Sequence, residues 1–465
     1  MTVRLSPARR RLGAAGAAGA AALLVAGLGA PAHAAGYADP TISLSATHLS
    51  GAVGAYGDPS VTVDVEQAAM PAGLLRLRVV SSSDPSVAGV GDVRQERTRT
   101  GDRTLTVRAR AQGYTDLVLE VTGRGGKTAT AALSYAASAR VAGAPATRYL
   151  TGSSDASAAV DAGGGHVLVA DDESNVLRLY DRSRSGAAVK TWDLGPALGW
   201  KKEADIEAAA RVGDTVYWTG SLGNNKDGKY KAERNTVFTT RITGSGAATE
   251  VTFGSAYKGL REDLVAWDAA HGDRYGFAAG TANGQVPKRI DGFNVEGLEF
   301  APGSTTTAYL GFRAPLAPAV PGGRALVVPV TNIDRVLADG AKAVFGEPIE
   351  MDLGGLAVRD LRKNAAGQYL ILAGSFAADD NSDPYALYQW DGVPGHAPRK
   401  RADLPTTDPG GWEAVVSVPD LRVRGARVQL ITDSGAADLY GDGTEAKDLD
   451  HPEWKKARAA WFTLG

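Results

Sequence analysis

Short apolar runs bounded by glycine, asparagine and aspartate recur from residue 147 onward. Five units each contain a first run, at residues 165–170, 213–220, 307–312, 367–374 and 426–432. A second run follows in each unit, at residues 175–181, 235–242, 324–330, 385–390 and 459–464. Runs of this length, rich in valine, leucine and aromatic residues, predict β-strands.

An acidic turn precedes each pair of runs. It is complete at Glu207, Glu296 and Glu413 and weaker at Ser157 and Gly354, and the aligned positions are 50, 89, 58 and 59 residues apart. A period near 50 residues is typical of the blades of a β-propeller. We therefore expect the acidic turns to converge on one axis.

The spacing favours six blades, with five or seven as alternatives. The 89-residue step leaves room for a degenerate blade around residues 260–280. A strand at residues 147–151 and another at 461–464 could pair within one blade, which would close the ring and remove its free edges. The sequence thus predicts a β-propeller over residues 147–465.

Residues 40–142 show a different pattern, with strict alternation of apolar and polar positions. The alternating runs include residues 60–65, 75–80, 104–109 and 116–121. Such alternation predicts an immunoglobulin-like β-sandwich, so the predicted fold class of the whole chain is all-β. In a secreted bacterial protein we expect this module to be a spacer or an attachment module, joined to the propeller near residues 143–146.

The first residues have the pattern of a targeting segment. Arginines at positions 9–11 precede an apolar run at 12–29, and small residues stand at Ala32 and Ala34. This pattern predicts a secretory signal peptide over residues 1–34, exported by the general pathway or, as an alternative, by the twin-arginine pathway. Later segments lack ~18 consecutive apolar residues, so we predict a secreted, extracellular protein without a membrane span.

Composition narrows the possible chemistry. The chain has no cysteine, which excludes disulfides, thiol catalysis and cysteine metal sites, and leaves stability to the core. A formal net charge of −2 gives no general attraction to nucleic acid. We also expect the protein to be a monomer. The histidines after the leader, at positions 48, 166, 271, 396 and 451, show no metal-ligand spacing, which argues against a zinc hydrolase.

Several stretches of the repeat resemble one known family. They are residues 170–178, 205–210, 220–226 with 233–234, 296–298 with 311–313, 353–360 and 432–435. In this order they are similar to the signature stretches of a family of bacterial propeller-like domains of unassigned function, and the Glu-Gly-Leu turns resemble those of the esterase-like phytase domain. The resemblance covers residues 147–465 and implies a propeller, with a phytase-like activity as one option.

The three glutamates of the acidic turns are the predicted catalytic residues. Glu207, Glu296 and Glu413 would point into one funnel, and Asp171, Asp172 and Asp205 would add to the same cluster. Clustered carboxylates repel one another unless a cation or shared protons offset their charge, and hard oxygen ligands suit Ca²⁺ or Mg²⁺. All six acids are therefore candidate ligands of a calcium ion. The alternative is structural, with each glutamate accepting backbone N–H bonds from the neighbouring blade.

A set of cationic and polar residues is predicted to bind substrate. Its members lie in or beside the signature stretches and are Arg178, Ser221, Asn224, Lys226, Arg234, Arg313 and Arg359. Guanidinium groups bind phosphate or carboxylate bidentately, so arginines beside a carboxylate-bound cation would form a phosphate-ester site. The alternative pairs arginines with nearby acids: Arg359 with Asp360, Arg234 with Glu233 and Arg178 with Asp172.

Two functions of different classes follow from this set of residues. In one, the propeller is a secreted Ca²⁺-assisted phosphoesterase, phytase-like, acting on an anionic extracellular substrate. In the other, it is a non-catalytic propeller that binds an anion, a glycan or a peptide, with the sandwich as its attachment module. Propellers host both functions, so the fold alone does not decide between them.

Overall fold

The computed structural model describes residues 37–55, 57–98, 102–141, 143, 146–377, 384–407 and 410–465. Within these ranges the chain forms seven β-sheets and four short α-helices. The all-β class predicted from the sequence is confirmed. The predicted signal peptide lies outside the described residues.

The first eight strands pair only with one another. They are β1 (Thr41–Leu44), β2 (His48–Ala52), β3 (Ser60–Glu66), β4 (Arg76–Ser82), β5 (Val93–Arg97), β6 (Arg103–Val107), β7 (Gly113–Thr122) and β8 (Thr128–Ser138). Two four-stranded sheets result, in the orders β1-β3-β6-β5 and β2-β8-β7-β4. Alternate residues such as Val63, Leu77, Leu105 and Leu119 are buried in one core shared by both sheets. The alternating pattern thus gives two packed sheets, and the immunoglobulin-like topology stays a prediction.

The following strands build a series of sheets, each one compact in sequence. The first three sheets contain β10 (Ala156–Gly163), β11 (His166–Asp171), β12 (Val176–Asp181) and β14 (Lys190–Asp193); β15 (Ile206–Val212), β16 (Thr215–Gly220), β17 (Val237–Thr243) and β18 (Glu250–Tyr257); and β19 (Asn294–Phe300), β20 (Ala308–Ala314), β21 (Ala325–Val330) and β22 (Ile349–Met351). Neighbouring strands within these sheets are antiparallel. Short antiparallel sheets of this kind are the blades of propellers.

The last two sheets differ in how they are assembled. One contains β23 (Ala357–Lys363), β24 (Tyr369–Gly374), β25 (Tyr385–Trp390) and β26 (Arg399–Leu404). The other has the order β13-β9-β29-β28-β27 and contains β9 (Arg148–Thr151), β13 (Gly186–Ala187), β27 (Gly411–Val415), β28 (Arg427–Asp433) and β29 (Lys456–Thr463). Because β9 pairs with β29 in register Thr151 to Lys456, the two ends of the repeat share one sheet. The prediction that the two ends pair within one blade is confirmed, although the partner of β9 is residues 456–459 and not 461–464.

The inner strands of the five sheets form a closed ring. Each of β10, β15, β19, β23 and β27 contacts the next one in this order, and β27 contacts β10. The described residues therefore form five blades, and the prediction of six is wrong. The segment expected to hold a degenerate blade instead forms α2 (Leu260–Ala270) and α3 (Phe277–Gly280), after the short α1 (Gly195–Leu198) and before α4 (Ile333–Asp339). Leu260 and Leu264 bury one face of α2 against the core, and Phe277 of α3 packs into the same core. The four-residue spacing of the two leucines is that of a helix and not of a strand.

The two packed sheets rest on the last blade of the ring. Ser50 Oγ lies 2.8 Å from the Tyr440 hydroxyl, and the buried Lys456 donates to Ser50 Oγ at 3.0 Å and to the carbonyl of Gly51. Tyr114 donates to Asp442 Oδ2 at 3.0 Å. Burial lowers the pKa of Lys456 to about 7. No helix in the described ranges is both long and apolar enough to cross a membrane.

Candidate functional site

Each inner strand carries a β-bulge near its first residues. The residue skipped by the pairing register is Ser157, Glu207, Glu296, Arg359 or Glu413. A bulge leaves its extra residue unpaired and re-aims the side chain, and all five of these residues are buried or nearly so. The five bulges are therefore the true repeat of the acidic turn.

The fourth copy of the repeat was aligned wrongly from the sequence. Gly354 precedes β23 and lies in a turn with a φ of 70°, where a glycine is favoured. Arg359 occupies the bulge instead. The fourth blade thus contributes a cation where three other blades contribute a carboxylate.

Arg359 pairs with two of the three predicted catalytic glutamates. Its Nε donates to Glu413 Oε2 at 3.1 Å, its Nη2 contacts Glu413 Oε1, and Nε also lies 3.1 Å from Glu296 Oε2. Since the Nε–H is directed at Glu413, Glu296 Oε2 gains charge attraction without an aligned hydrogen bond. Arg313 Nη1 donates to Glu296 Oε1 at 2.9 Å. We call these four residues, Glu296, Arg313, Arg359 and Glu413, the paired cluster.

The two arginines of the paired cluster are also held by the backbone. Arg313 donates to the carbonyls of Phe376, at 3.2 Å, and Ala377, and Arg359 donates to the carbonyl of Ser375 at 3.3 Å. Both side chains are at most 1 % exposed. Their donors are therefore engaged inside the protein, and neither arginine is positioned as a surface receptor for phosphate. The local pairing of Arg359 with Asp360 considered from the sequence is replaced by a pairing across blades.

Next to the paired cluster, three acids converge with fewer counter-charges. Asp172 follows β11, Asp205 precedes β15, and Glu207 is the bulge residue of β15. One carboxylate oxygen from each lies within 4.8 Å of the other two. We call these three residues the acidic triad. Asp205 adopts a left-handed backbone with a φ of 52°, a conformation that aspartate tolerates better than most residues and that turns the chain into the bulge.

The pKa values of the acidic triad are raised, which shows that its negative charges are unfavourable where they lie. Burial and then the nearby Glu296, Asp205 and Glu413 raise the pKa of Glu207 well above its ordinary value. Burial and then Asp433 and Glu207 do the same for Asp172, and its Oδ1 is buried without a hydrogen-bond partner among the described residues. Only Asp205 has a close cation, with Arg234 Nη1 2.8 Å from its Oδ2. The site therefore requires protons or a cation to offset its charge.

Two further acids, Asp155 and Asp433, adjoin the acidic triad. They face each other across an isolated backbone bridge that joins the first and last blades. A methyl group at Gly435 would lie 1.6 Å from Asp155 Oδ1 and 3.2 Å from Asp433 Oδ1, so the two oxygens are close neighbours. Burial and Asp433 raise the pKa of Asp155 to about 7. Neither acid was among the predicted site residues, although both occur in copies of the repeat or in a signature stretch.

The remaining predicted residues have mostly structural contacts. Arg178 pairs with Asp171, whose carboxylate also accepts from Ser174 at 3.0 Å. Arg234 contacts Asp205 and lies 3.6 Å from Glu203, and its buried Nε has no hydrogen-bond partner among the described residues. The sequence had paired these arginines with Asp172 and Glu233 instead.

The polar loop after β16 is also mainly structural. Asn224 donates to the carbonyls of Ala282 and Gln285 at 2.9 and 3.0 Å and accepts from Arg261. Ser221 is buried. Burial raises the pKa of Asp205, and Arg234 and the Ser221 hydroxyl offset only part of that rise. Lys226 is exposed. Of this loop, Ser221 alone contacts the acidic triad.

Other acids than those expected connect the blades. Glu299 Oε2 accepts from the backbone N–H of Lys363 at 2.9 Å, and Asp360 Oδ2 accepts from that of Val415 at 2.8 Å. Arg362 Nη1 donates to the carbonyl of Ala209, which lies on a non-adjacent inner strand, so its side chain crosses the axis. Arg362 thus links two non-adjacent inner strands, and Glu299 and Asp360 accept inter-blade backbone bonds of the kind that the structural alternative assigned to the bulge glutamates.

Comparisons with known proteins give a distant fold likeness. No family model and no curated protein matches the chain. Among solved structures, a thermostable family-43 glycoside hydrolase aligns at 10% identity over 68% of this chain and 90% of its own, with a TM-score of 0.34. An α-L-arabinanase from Penicillium chrysogenum aligns at 10% identity over 68% and 98%, with a TM-score of 0.30. A streptogramin B lyase aligns at 8% identity over 68% and 97%, with a TM-score of 0.29.

These neighbours are propeller-like and differ in what they act on. Similarities at such TM-scores carry no argument about the activity of this chain. The predicted resemblance to the esterase-like phytase domain gains no support from them. The candidate site therefore has to be interpreted from its own residues.

Proposed function

We propose that the acidic triad binds a divalent cation, with Ca²⁺ the best match, and that the protein uses it to hydrolyse an anionic substrate such as a phosphoester. The observation that supports this is an imbalance of charge. Glu296 and Glu413 each contact a buried guanidinium, whereas the partly buried Asp172 and the buried Glu207 lie beside other acids. A bound divalent cation would remove that cost.

The donor set fits calcium. Ca²⁺ takes six to eight oxygen ligands in flexible geometry, and the acidic triad offers three carboxylates around one point. Asp155 and Asp433 adjoin it on the seam between the first and last blades. Carboxylates without imidazole or thiol partners favour hard cations over zinc or copper.

The residues of this chain can assist hydrolysis in two ways. A bound cation supplies Lewis-acid activation of a phosphoryl oxygen and of water. Asp155, with a pKa of about 7, is suited to accept the proton of the attacking water near neutral pH. Arg234, whose Nε is unpartnered within the described part of the chain, is placed beside Asp205 to stabilise negative charge on the substrate.

This proposal assigns roles to the rest of the chain. The site belongs to the propeller of residues 147–465, and residues 40–142 serve as an immunoglobulin-like attachment module. Residues 1–34 direct a monomeric protein out of the cell. Of the seven residues predicted to bind substrate, Arg234 and Ser221 remain in the proposed site.

A second function, cation-dependent binding of a glycan, peptide or anion without catalysis, is favoured by one observation. Arg178, Arg313 and Arg359 are engaged by acids or carbonyls and do not form a phosphate clamp. A cation at the acidic triad would then act as a bridge to an oxygen-rich ligand.

The deciding experiment measures Ca²⁺ binding and phosphate release together. The full chain is titrated with Ca²⁺ by calorimetry and assayed on phosphomonoesters and phosphodiesters, phytate included, with Ca²⁺ or with chelator. We expect Glu207→Gln to weaken Ca²⁺ binding about 100-fold and to abolish turnover, since it removes one of three anionic ligands. Glu347→Gln, at an exposed glutamate, is the matched control.

Each outcome separates the alternatives. The hydrolase is supported if Ca²⁺-dependent turnover is lost in Glu207→Gln and retained in Glu347→Gln. Ca²⁺ binding without turnover on any substrate supports the binding propeller. Absence of Ca²⁺ binding by the folded wild-type chain overturns both.

A further inference from the structure

Two histidines far apart in sequence meet where the packed sheets rest on the ring. His48 begins β2, and His451 precedes the turn that leads into β29. Their imidazole rings stack with centroids 3.7 Å apart and an angle of 19°. Glu453 completes the group, and one ligand atom from each of the three residues lies within 4.8 Å of the other two.

We propose that His48, His451 and Glu453 form a binding site for a transition-metal ion, with Zn²⁺ the best match. Two imidazoles and one carboxylate are a common ligand set for zinc, which keeps a fourth position for water. Imidazole ligands favour zinc, copper or nickel over calcium, so this site and the acidic triad select different metals. Residue spacing carries no signal of this site, because the two histidines are 403 residues apart.

To bind one ion, at least one imidazole has to turn out of the stack, because the lone pair of each ring nitrogen lies in its ring plane and the two planes, 19° from parallel, do not meet at the group. The neighbouring residues support the remaining requirements. Thr47 Oγ1 lies 3.1 Å from His48 Nδ1, and a donated Nδ1–H would fix the tautomer that leaves the lone pair on Nε2. The indole of Trp454 packs edge-on against both imidazoles, with centroids 5.2 and 4.7 Å from those of His48 and His451. Glu453 is exposed, so the group opens to solvent on that side, from which a metal ion can enter.

The proposed metal would tie the two parts of the molecule together. His48 is anchored in the sheet β2-β8-β7-β4, whereas His451 and Glu453 belong to the segment between β28 and β29. A metal ion bound to both parts stabilises only the docked arrangement, and its affinity adds to the hydrogen bonds of Ser50 and Lys456.

The test uses the full chain without an affinity tag. Co²⁺ serves as a visible probe of coordination, and Zn²⁺ binding is measured by calorimetry and by competition with Co²⁺. We expect one equivalent of Co²⁺ to give a d–d absorption band that Zn²⁺ displaces and Ca²⁺ does not. His48→Asn and His451→Asn should each weaken binding about 100-fold, and Glu453→Gln about tenfold.

Two controls keep the result specific. His166→Asn replaces a half-buried histidine outside the group and should leave the band unchanged. Glu207→Gln should also leave it unchanged, so the outcome is independent of the proposed calcium site. Glu453→Gln alters an exposed side chain and serves as the folded variant if a histidine variant is unstable.

The proposal is overturned if the wild-type chain gives no one-to-one Co²⁺ band. It is equally overturned if the band persists with unchanged affinity in His48→Asn, His451→Asn and Glu453→Gln, or if His166→Asn removes it.

Discussion

The paired cluster and the acidic triad lie side by side, and the glutamates at the bulge position of the repeat have opposite surroundings in the two. On one side of the ring, Glu296 and Glu413 face Arg313 and Arg359, and every charge has a buried partner. On the other side, Glu207 occupies the equivalent bulge and faces Asp172 and Asp205. Position in the repeat therefore sets where a carboxylate lies, and the neighbouring blade decides whether it is structural or available to a ligand.

The difference follows from which blade supplies the cation. The fourth inner strand contributes Arg359, whose guanidinium lies between Glu296 of β19 and Glu413 of β27. The first two blades contribute Ser157 and Glu207 at the same bulges, and the Ser157 hydroxyl donates to the carbonyl of Ile206. Excess negative charge is left on that side.

The largest effect is expected from Arg359→Met. The substitution leaves two buried glutamates without their shared cation, so we expect a loss of about 3–5 kcal/mol in the free energy of unfolding. Urea unfolding followed by tryptophan fluorescence measures it. The double variant with Glu413→Gln should recover much of the loss, because Glu296 keeps Arg313 as its partner. A mild effect of Arg359→Met alone would contradict the described role of the paired cluster.

A smaller effect, of opposite sign, separates the two glutamates Glu207 and Glu296. In the presence of a chelator, Glu207→Gln should raise the free energy of unfolding by roughly 1–2 kcal/mol, because it removes charge from a buried acidic site. The midpoint of urea unfolding should rise accordingly. Glu296→Gln should lower the midpoint, because it leaves Arg313 and Arg359 short of negative charge. Equal effects of both changes would remove the distinction between the clusters.

The smallest effect concerns pH and Asp155. Its pKa is about 7 in the folded protein against an ordinary value near 3.8, so between these values the folded state binds more protons than the unfolded state. In chelator the contribution of Asp155 to stability therefore falls as pH rises from about 4 to about 7. We expect the melting temperature of Asp155→Asn to change less across this pH window than that of the wild-type chain, by roughly 3 °C. A pH profile identical to that of the wild-type chain would count against the described environment of Asp155.

The strands of the ring were predictable because their apolar runs are local. The first run of each unit lies within two residues of β11, β16, β20, β24 or β28 as observed. The closing pair β9 and β29 was also predictable, since a propeller has to remove its edges. The number of blades was not, because the 89-residue step between Glu207 and Glu296 contains helices whose spacing gives no strand.

The candidate site was predictable only in part. Glu207, Asp172 and Asp205 were among the predicted metal ligands, and their carboxylates do converge. The bulge at Arg359 could not be predicted, because a one-residue shift in the register of strand pairing does not show in the amino-acid pattern. The pairing of Glu296 and Glu413 with arginines of other blades depends on the closed ring and is invisible in any local window.

The seam between the first and last blades has a consequence for synthesis. Asp155 emerges from the ribosome early and Asp433 late, and the bridge between them joins the first blade to the last. A nascent chain therefore keeps these acids apart until Asp433 has been synthesised, and contacts of such high sequence separation form slowly. Cation capture at the seam would then report completion of the ring, and a chain truncated before Lys456 should be unable to hold the ion.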